Sequence, residues 1–252
     1  MTGGVAIDAA RAALDRDGFV ILRGAVERGW IDAHRDGLCS YVARHRAGMD
    51  EAGRAVGTSA VAPTFTLGDA PPDVAAFVTD ARLGALAAAL LAVRSVRLLH
   101  YCGFFKPPAG RPTPWHRDQD FLPLDTDRLI TAWLPLVEID ATMGMLAFAH
   151  GSHRDPRSAE AFARSDSGPL SPGDVSFHLG GTLHAAGGNR SDRMRAVMAM
   201  TFYPDGVRIR DDEGVPFRAA LRAHYFADLA PGELAAGPAN PLVHAGDPPE
   251  GR

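Results

Sequence analysis

Chemistry is most concentrated in the segment Pro114-Trp115-His116-Arg117-Asp118-Gln119-Asp120, just ahead of an apolar run from Arg128 to Val137. In an extended backbone successive side chains point to opposite faces. A His-x-Asp triplet there sends an imidazole and a carboxylate to the same face, where they fill two neighbouring positions around a metal. A third ligand must come from elsewhere in the chain. His184 lies in Gly180-Gly181-Thr182-Leu183-His184-Ala185-Ala186-Gly187-Gly188, where small neighbours leave room for an ion and a substrate. Two histidines and one carboxylate on one face of an octahedron leave three positions open, the arrangement of non-haem Fe(II) oxygenases.

A second triplet, His153-Arg154-Asp155, follows Gly151-Ser152 and precedes Pro156. It reads as a turn whose side chains need not share a face. Arg195 opens an apolar strand-like run to Tyr203, and a guanidinium in such surroundings needs an acid, supplied by an internal salt bridge or by a bound carboxylate. Gln119 and Asp120 sit beside the first triplet and are candidates for contact with a substrate, with a surface loop as their other reading. Arg208, Arg210, Arg218 and Arg222 are spread over the segment after residue 205, as a solvated face or as a receiver of an anionic substrate.

These residues need elements to hold them. The spacing predicts a helix over Val5 to Arg16 closed by Asp17-Gly18, a strand over Phe19 to Leu22, and a second helix from Glu27 to His45 with one buried stripe. Residues 46–70 carry no clear pattern. Pro71-Pro72-Asp73 opens a third helix running to about Val93. From there the texture changes to short β-branched and aromatic runs: Val96 to Phe105, Arg128 to Val137, Met145 to Ala149, Asp174 to Leu179 and Met194 to Tyr203. Strands at such intervals without helices between them predict an antiparallel sandwich or jelly roll with the leading helices outside it. The tail from Pro231 to Arg252 is rich in Pro, Gly and Ala and predicts irregular structure.

The 252 residues are 46% hydrophobic and 22% charged, enough for a sizeable core and incompatible with wholesale disorder. A formal charge of −4 argues against nucleic acid as partner, because phosphate binding needs a concentrated basic surface. The longest apolar run, Leu83 to Val93, is about half a bilayer crossing, and the first residues carry acids where a signal peptide has an apolar core. These features predict a cytoplasmic protein without a membrane role. Cys39 and Cys102 lack zinc or redox spacing. Lys106 is the only lysine, which reads as coding bias.

In order along the chain, several segments resemble the phytanoyl-CoA dioxygenase family of Fe(II)/2-oxoglutarate oxygenases, over about residues 14 to 205. Asp17-Gly18-Phe19-Val20-Ile21-Leu22-Arg23-Gly24 is similar to its N-terminal strand. Trp115-His116-Arg117-Asp118 resembles its His-x-Asp, and Ile130-Thr131-Ala132-Trp133-Leu134-Pro135-Leu136 the strand that follows. Gly144 through Gly151-Ser152-His153 is similar to a segment ending in Gly-Ser-His, which accounts for the second triplet. Gly173-Asp174-Val175, His184 and Asn189 through Arg195 follow its distal block.

The resemblance implies a mainly β protein, a double-stranded β-helix (jelly roll, cupin-like) with flanking helices. It would be one oxygenase domain over 1–252: a helical part to about 93, a core over about 94–205 and an extension over 206–252. It further implies Fe(II) held by His116, Asp118 and His184, with 2-oxoglutarate and O2 as cosubstrates. Arg195 matches the grip on the distal carboxylate of 2-oxoglutarate, with Arg193 as the alternative on the same strand face. Trp133 and Thr131 would line that pocket, and Cys102 falls near another cosubstrate contact. Ala186 departs from the family, which often has a small hydroxyl residue there. The presence of Asp118 disfavours halogenation, for which similar enzymes lack the carboxylate. The expected reaction oxidises a small organic substrate, such as a natural-product intermediate, by hydroxylation; desaturation, epimerisation and cyclisation are other outcomes of the same chemistry. A cupin-like binding module and a zinc hydrolase, which also uses two histidines and a carboxylate, are the alternatives from other classes.

Overall fold

The computed structural model describes residues 7–52, 64–120, 122–211, 216–227 and 229–246. Among the described residues, eleven strands form two antiparallel sheets, and five α-helices accompany them. The larger sheet contains β1 (Phe19–Leu22), β8 (Val175–Leu179), β5 (Ile130–Pro135), β10 (Val197–Pro204), β3 (Ser95–Gly103) and β11 (Leu242–Ala245) in that order, with β2 (Thr64–Phe65) also paired to β3. The smaller sheet runs β4 (Thr113–His116), β9 (His184–Ala186), β6 (Leu146–Ala149), β7 (Arg164–Asp166). Facing sheets with crossed connectivity make the expected jelly roll.

The two faces of the larger sheet divide by the period-2 rule. On β5 and β10, Ile130, Ala132, Leu134, Met198, Met200 and Phe202 point outward into the main core. There they meet α1 (Ile7–Asp17), α2 (Arg28–Ala52), α3 (Pro72–Val78) and α4 (Ala81–Leu91) through Leu14, Val42, Phe77 and Leu83. Alternate residues Trp133, Val197 and Ala199 point inward, between the sheets. Both faces are covered, so these strands read as continuous apolar runs. A third cluster, Leu99, Leu129, Tyr203, Tyr225 and Phe226, packs α5 (Pro216–Phe226) on the sheet.

Gly18 ends α1 at φ +86, and a Cβ there would lie 2.4 Å from Thr182 Oγ1, so only glycine lets α1 turn into β1 against the loop that carries His184. Asp174 fastens the other end of β1. Its carboxylate accepts from Arg23 Nη1 (2.8 Å), Gly24 N (2.9 Å) and Ser171 N (3.0 Å). Burial opposes ionisation, but these donors hold its carboxyl below the usual range.

Several expectations need correction. The helix expected from residue 71 to 93 is two helices, because the Asp80 carboxylate accepts the Arg82 N–H and restarts the chain as the cap of α4. Together Pro72–Leu91 are apolar and long enough to cross a bilayer by length and composition; here Phe77, Leu83 and Leu90 are buried in the core. Helix α2 runs past His45 to Ala52. The tail expected to be irregular contributes β11, whose Val243 reaches the core. Helix α5, in the segment after residue 205, and the exposed strand β7 are additional elements. The expected helix start at Val5 and the last six residues of the tail lie outside the described residues.

Candidate metal centre

His116 and His184 face each other directly across the β4–β9 pair. Their ring centroids are 4.1 Å apart. His116 Nδ1 donates to Pro114 O (2.9 Å) and His184 Nδ1 donates to Thr182 O (3.0 Å). A carbonyl can only accept, so each ring bears a proton on Nδ1, and the tautomer this selects presents a bare Nε2 lone pair. Both Nε2 atoms face one oxygen of Asp118, Oδ1, at 3.5 Å from His116 and 3.7 Å from His184. The ligand atoms of His116, Asp118 and His184 all lie within 4.8 Å of one another. Two imidazole nitrogens and one carboxylate oxygen converging in this way fit a divalent iron.

The His-x-Asp pair converges for a different reason from the one the sequence suggested. Strand β4 ends at His116, and Asp118 opens a 3-10 turn over Asp118–Asp120, so period 2 does not apply. Arg117 anchors the change of direction, donating to Gly181 O (3.1 Å), Asp155 O (2.7 Å) and Arg157 O (2.9 Å). The second triplet forms a turn, as expected, with Asp155 bound by Arg157.

The other Asp118 oxygen is held by the larger sheet. Thr131 donates its hydroxyl to Asp118 Oδ2 (3.1 Å) and lies 3.0 Å from Thr201 Oγ1, which lies 3.2 Å from His100 Nε2. An ionised carboxylate only accepts, which fixes the direction of the row. Thr131 gives to Asp118, Thr201 gives to Thr131, and the His100 Nε2–H gives to Thr201. Burial pushes His100 down to about 4, consistent with a neutral donor ring. His178, opposite Thr131 on β8, places Nε2 3.7 Å from Asp118 Oδ2 and its ring 4.3 Å from that of His184. Burial lowers His184 to about 3, helped by His178. Burial opposes ionisation of Asp118, yet the surrounding histidines hold its carboxyl well below the usual range.

A pocket extends inward from the triad past Phe104, Thr131, Trp133, Ala186 and Arg195. Arg195 does not begin a strand; it makes an isolated antiparallel bridge with Lys106 just before β10. Residues opposite each other in such a bridge send their side chains to one face. Asn189 ties the two segments, its side-chain N–H groups donating to Lys106 O (2.9 Å) and Arg193 O (2.7 Å). Arg195, 2% exposed, donates to Gly144 O (2.6 Å), with its guanidinium 5.5 Å from the centre of the Trp133 ring. A Cβ on Gly144 would lie 2.1 Å from Gly187 O, so glycine alone allows this approach. Lys106, 8% exposed, donates to Gly187 O (2.7 Å).

Among the described residues neither cation has an acid partner. Burial lowers Arg195 to about 10, and burial together with Arg195 lowers Lys106 to about 8. Composition reads Lys106 as coding bias; the signal for a role is that the single lysine falls between two strands. His178 was missed as well, although its alternation with Ser176 on β8 puts it on the inner face. Arg193, the alternative to Arg195, is on the surface and donates to Asp140 (2.8 Å), because the chain has not yet entered β10. Cys102 is buried in the cluster between the sheets near Trp133. Gln119 and Asp120 line a separate outer cleft.

Comparison with known proteins gives a match to the family described as Phytanoyl-CoA dioxygenase (PhyH) over residues 14–197. A protein of Stutzerimonas stutzeri described as "Probable alpha-ketoglutarate-dependent hypophosphite dioxygenase" is 31% identical over 121 residues, 39% of this chain and 42% of that protein. The match therefore spans less than half of that relative. Among solved structures, the alpha ketoglutarate dependent epimerase SnoN from nogalamycin biosynthesis superposes with a TM-score of 0.75 at 24% identity, covering 95% of this chain and 99% of that one. The carbocyclase SnoK from the same biosynthesis gives 0.73 at 21% identity, covering 93% and 95%.

Proposed function

Because this chain belongs to the phytanoyl-CoA dioxygenase family, we propose that it is a non-haem Fe(II)/2-oxoglutarate-dependent dioxygenase that oxidises a small organic molecule. The observation that carries this reading is one pocket with the triad His116, Asp118 and His184 at its mouth and the buried cation Arg195, with Lys106 beside it, at its inner end. Iron would be held by His116 Nε2, Asp118 Oδ1 and His184 Nε2. Arg195 and Lys106 would take the distal carboxylate of 2-oxoglutarate, and Trp133 would pack along its carbon chain. Bound iron and 2-oxoglutarate would supply the oxidative chemistry of the class, in which O2 is the oxidant and decarboxylation to succinate and CO2 is coupled to oxidation of a C–H bond.

The protein's own contribution is placement. Nδ1–H bonds orient both imidazoles, Thr131 aims the carboxylate, and Leu146 and Trp133 keep the inner pocket apolar. Ala186 leaves the two cations to grip 2-oxoglutarate without a hydroxyl at that position. We propose hydroxylation as the outcome and a natural-product intermediate as the substrate; epimerisation and cyclisation are carried by the same architecture in SnoN and SnoK. A single domain and a cytoplasmic location accompany this proposal.

Calorimetric titration of 2-oxoglutarate with and without Mn(II) in place of iron tests the reading. Binding strengthens on addition of the metal if both ends of 2-oxoglutarate are engaged; indifference to the metal would favour a plain binding module. Thr131→Val is nearly isosteric and deletes the donor to Asp118 Oδ2. Loss of such a partner typically costs metal affinity roughly 10–100-fold, and Mn(II) titration should show a fall of that size, alongside a lower thermal stability because the buried Thr201 hydroxyl loses its acceptor. Unchanged affinity would remove Thr131 from the support of the site.

A further inference from the structure

One wall of the triad's pocket, His116, is shared with a second cavity. His116 also lines a cavity of about 420 Å³ with Trp115, Arg117, Asp120, Pro156 and Leu183. Arg117, Asp120 and Pro156 are shared with a further cleft of about 430 Å³. The two cavities thus share wall residues, and one of them reaches a metal-site histidine.

Four arginines reach the cleft from separate stretches of sequence: Arg117, Arg154, Arg210 and Arg218. Two aspartates line it as well, Asp120 and Asp155, but Asp155 is already engaged by Arg157 (Nε to Oδ2, 2.9 Å). Arg117 donates through Nε and Nη2 to backbone carbonyls and makes no salt bridge to an acid among the described residues. Arg154 donates to His153 Nε2 (3.1 Å), a neutral acceptor. Arg210 approaches Asp125 only at 4.0 Å, with that aspartate 73% exposed. Arg218 donates to Asp211 O at 3.4 Å, while its buried Nε has no hydrogen-bond partner among the described residues. The cleft is net positive in a chain whose formal charge is −4. Gathered guanidinium groups raise the local potential for anions, and their planar forks match carboxylate and phosphate oxygens.

We propose that this cleft is a substrate subsite for an anionic group, a carboxylate, sulfonate or phosphate, on the small molecule whose other end is oxidised at the triad. The proposal rests on the oxygenase reading above and adds the substrate's charge class. It also gives Gln119 and Asp120 their place: they continue the turn that carries Asp118 and line the cleft.

Inorganic phosphate is the probe. It is titrated calorimetrically into protein saturated with Mn(II) and 2-oxoglutarate, so that Arg195 and Lys106 are already occupied, and the ³¹P relaxation of the phosphate is followed in parallel. The expected result is saturable binding that weakens as salt rises, with ³¹P relaxation enhanced by the nearby Mn(II). In Arg154→Gln/Arg218→Gln the affinity should fall at least about tenfold. Arg210→Glu, on a partly exposed side chain, should weaken binding in the same direction, while Arg94→Gln, at a site remote from the cleft in contacts (Nε to Gly246 O), should not. Absence of saturable binding, or equal binding in wild type and the double variant, overturns the subsite. Binding that depends on these arginines without relaxation enhancement in Mn(II)-loaded protein overturns the link to the triad. If wild-type protein takes up no Mn(II), the metal reading fails instead, and the phosphate titration of wild type against the double variant still decides the cleft.

Discussion

Replacing Asp118 by alanine removes measurable metal binding and, with it, all conversion of 2-oxoglutarate to succinate. Asp118 is the one acid among the described residues lining the inner pocket, which otherwise presents three histidines and Arg195. Without its charge nothing there offsets a divalent cation. Its two oxygens do separate work: Oδ1 faces both histidine Nε2 atoms, and Oδ2 is held by Thr131. Loss of the ligand itself must therefore exceed the roughly 10–100-fold cost of losing an outer partner. Asp118→Asn keeps the shape and the Thr131 contact but loses the charge, so it separates electrostatics from packing; Mn(II) titration should show it far nearer to alanine than to wild type. Wild-type metal affinity in Asp118→Ala would show that the ion is held elsewhere.

Arg195→Gln raises the 2-oxoglutarate dissociation constant about a hundredfold or more, on the order of 3 kcal/mol for losing a charge-assisted pair in a buried setting. Metal affinity measured without 2-oxoglutarate should stay near wild type, because Arg195 hydrogen-bonds Gly144 and none of the three ligands. Arg193→Gln should leave 2-oxoglutarate binding intact, since that side chain reaches Asp140 at the surface. The neighbouring lysine adds a pH signature. Burial and Arg195 bring Lys106 down to about 8 in the free protein. A dianion favours the protonated lysine, so affinity is full below about pH 8 and falls as pH rises above it, by up to about tenfold per unit. In Lys106→Met the affinity should be lower at neutral pH and the fall above pH 8 should vanish. A fall that persists in that variant would assign the titration to another group.

Much of this architecture was legible because it is written in side-chain alternation. Strands β5 and β10 are covered on both faces, so their apolar runs announced them, and β1 emerged between a helix stop and Gly24. The break between α3 and α4 was hidden because Asp80 sits in an alanine-rich stretch where helical composition continues on both sides. Strand β9 has three residues, His184–Ala186, and exists only because β4 and β6 flank it. Helix α5 carries Arg218 and Arg222 among its apolar residues and looked like solvated chain.

The candidate ligand residues are nameable from their types and order, but His116 and Asp118 share a face through a 3-10 turn rather than through strand alternation. The Arg117 anchor that turns the chain is a tertiary contact with carbonyls 38 to 64 residues away, which no local pattern contains. His178 and Lys106 carry only weak signals in sequence, and the pairing register supplies their roles. Each is an ordinary residue in sequence and acquires meaning from the residue opposite it, Thr131 and Arg195.

The central claim is that one pocket binds iron through His116, Asp118 and His184 and 2-oxoglutarate through Arg195. Anaerobic addition of Fe(II) and then 2-oxoglutarate to the purified protein tests it directly, by the weak visible charge-transfer absorption of the iron–2-oxoglutarate chelate. The account predicts that the band appears in wild type, requires far more 2-oxoglutarate in Arg195→Gln, and is absent in Asp118→Ala. Iron bound to wild-type protein with no band at saturating 2-oxoglutarate would contradict it.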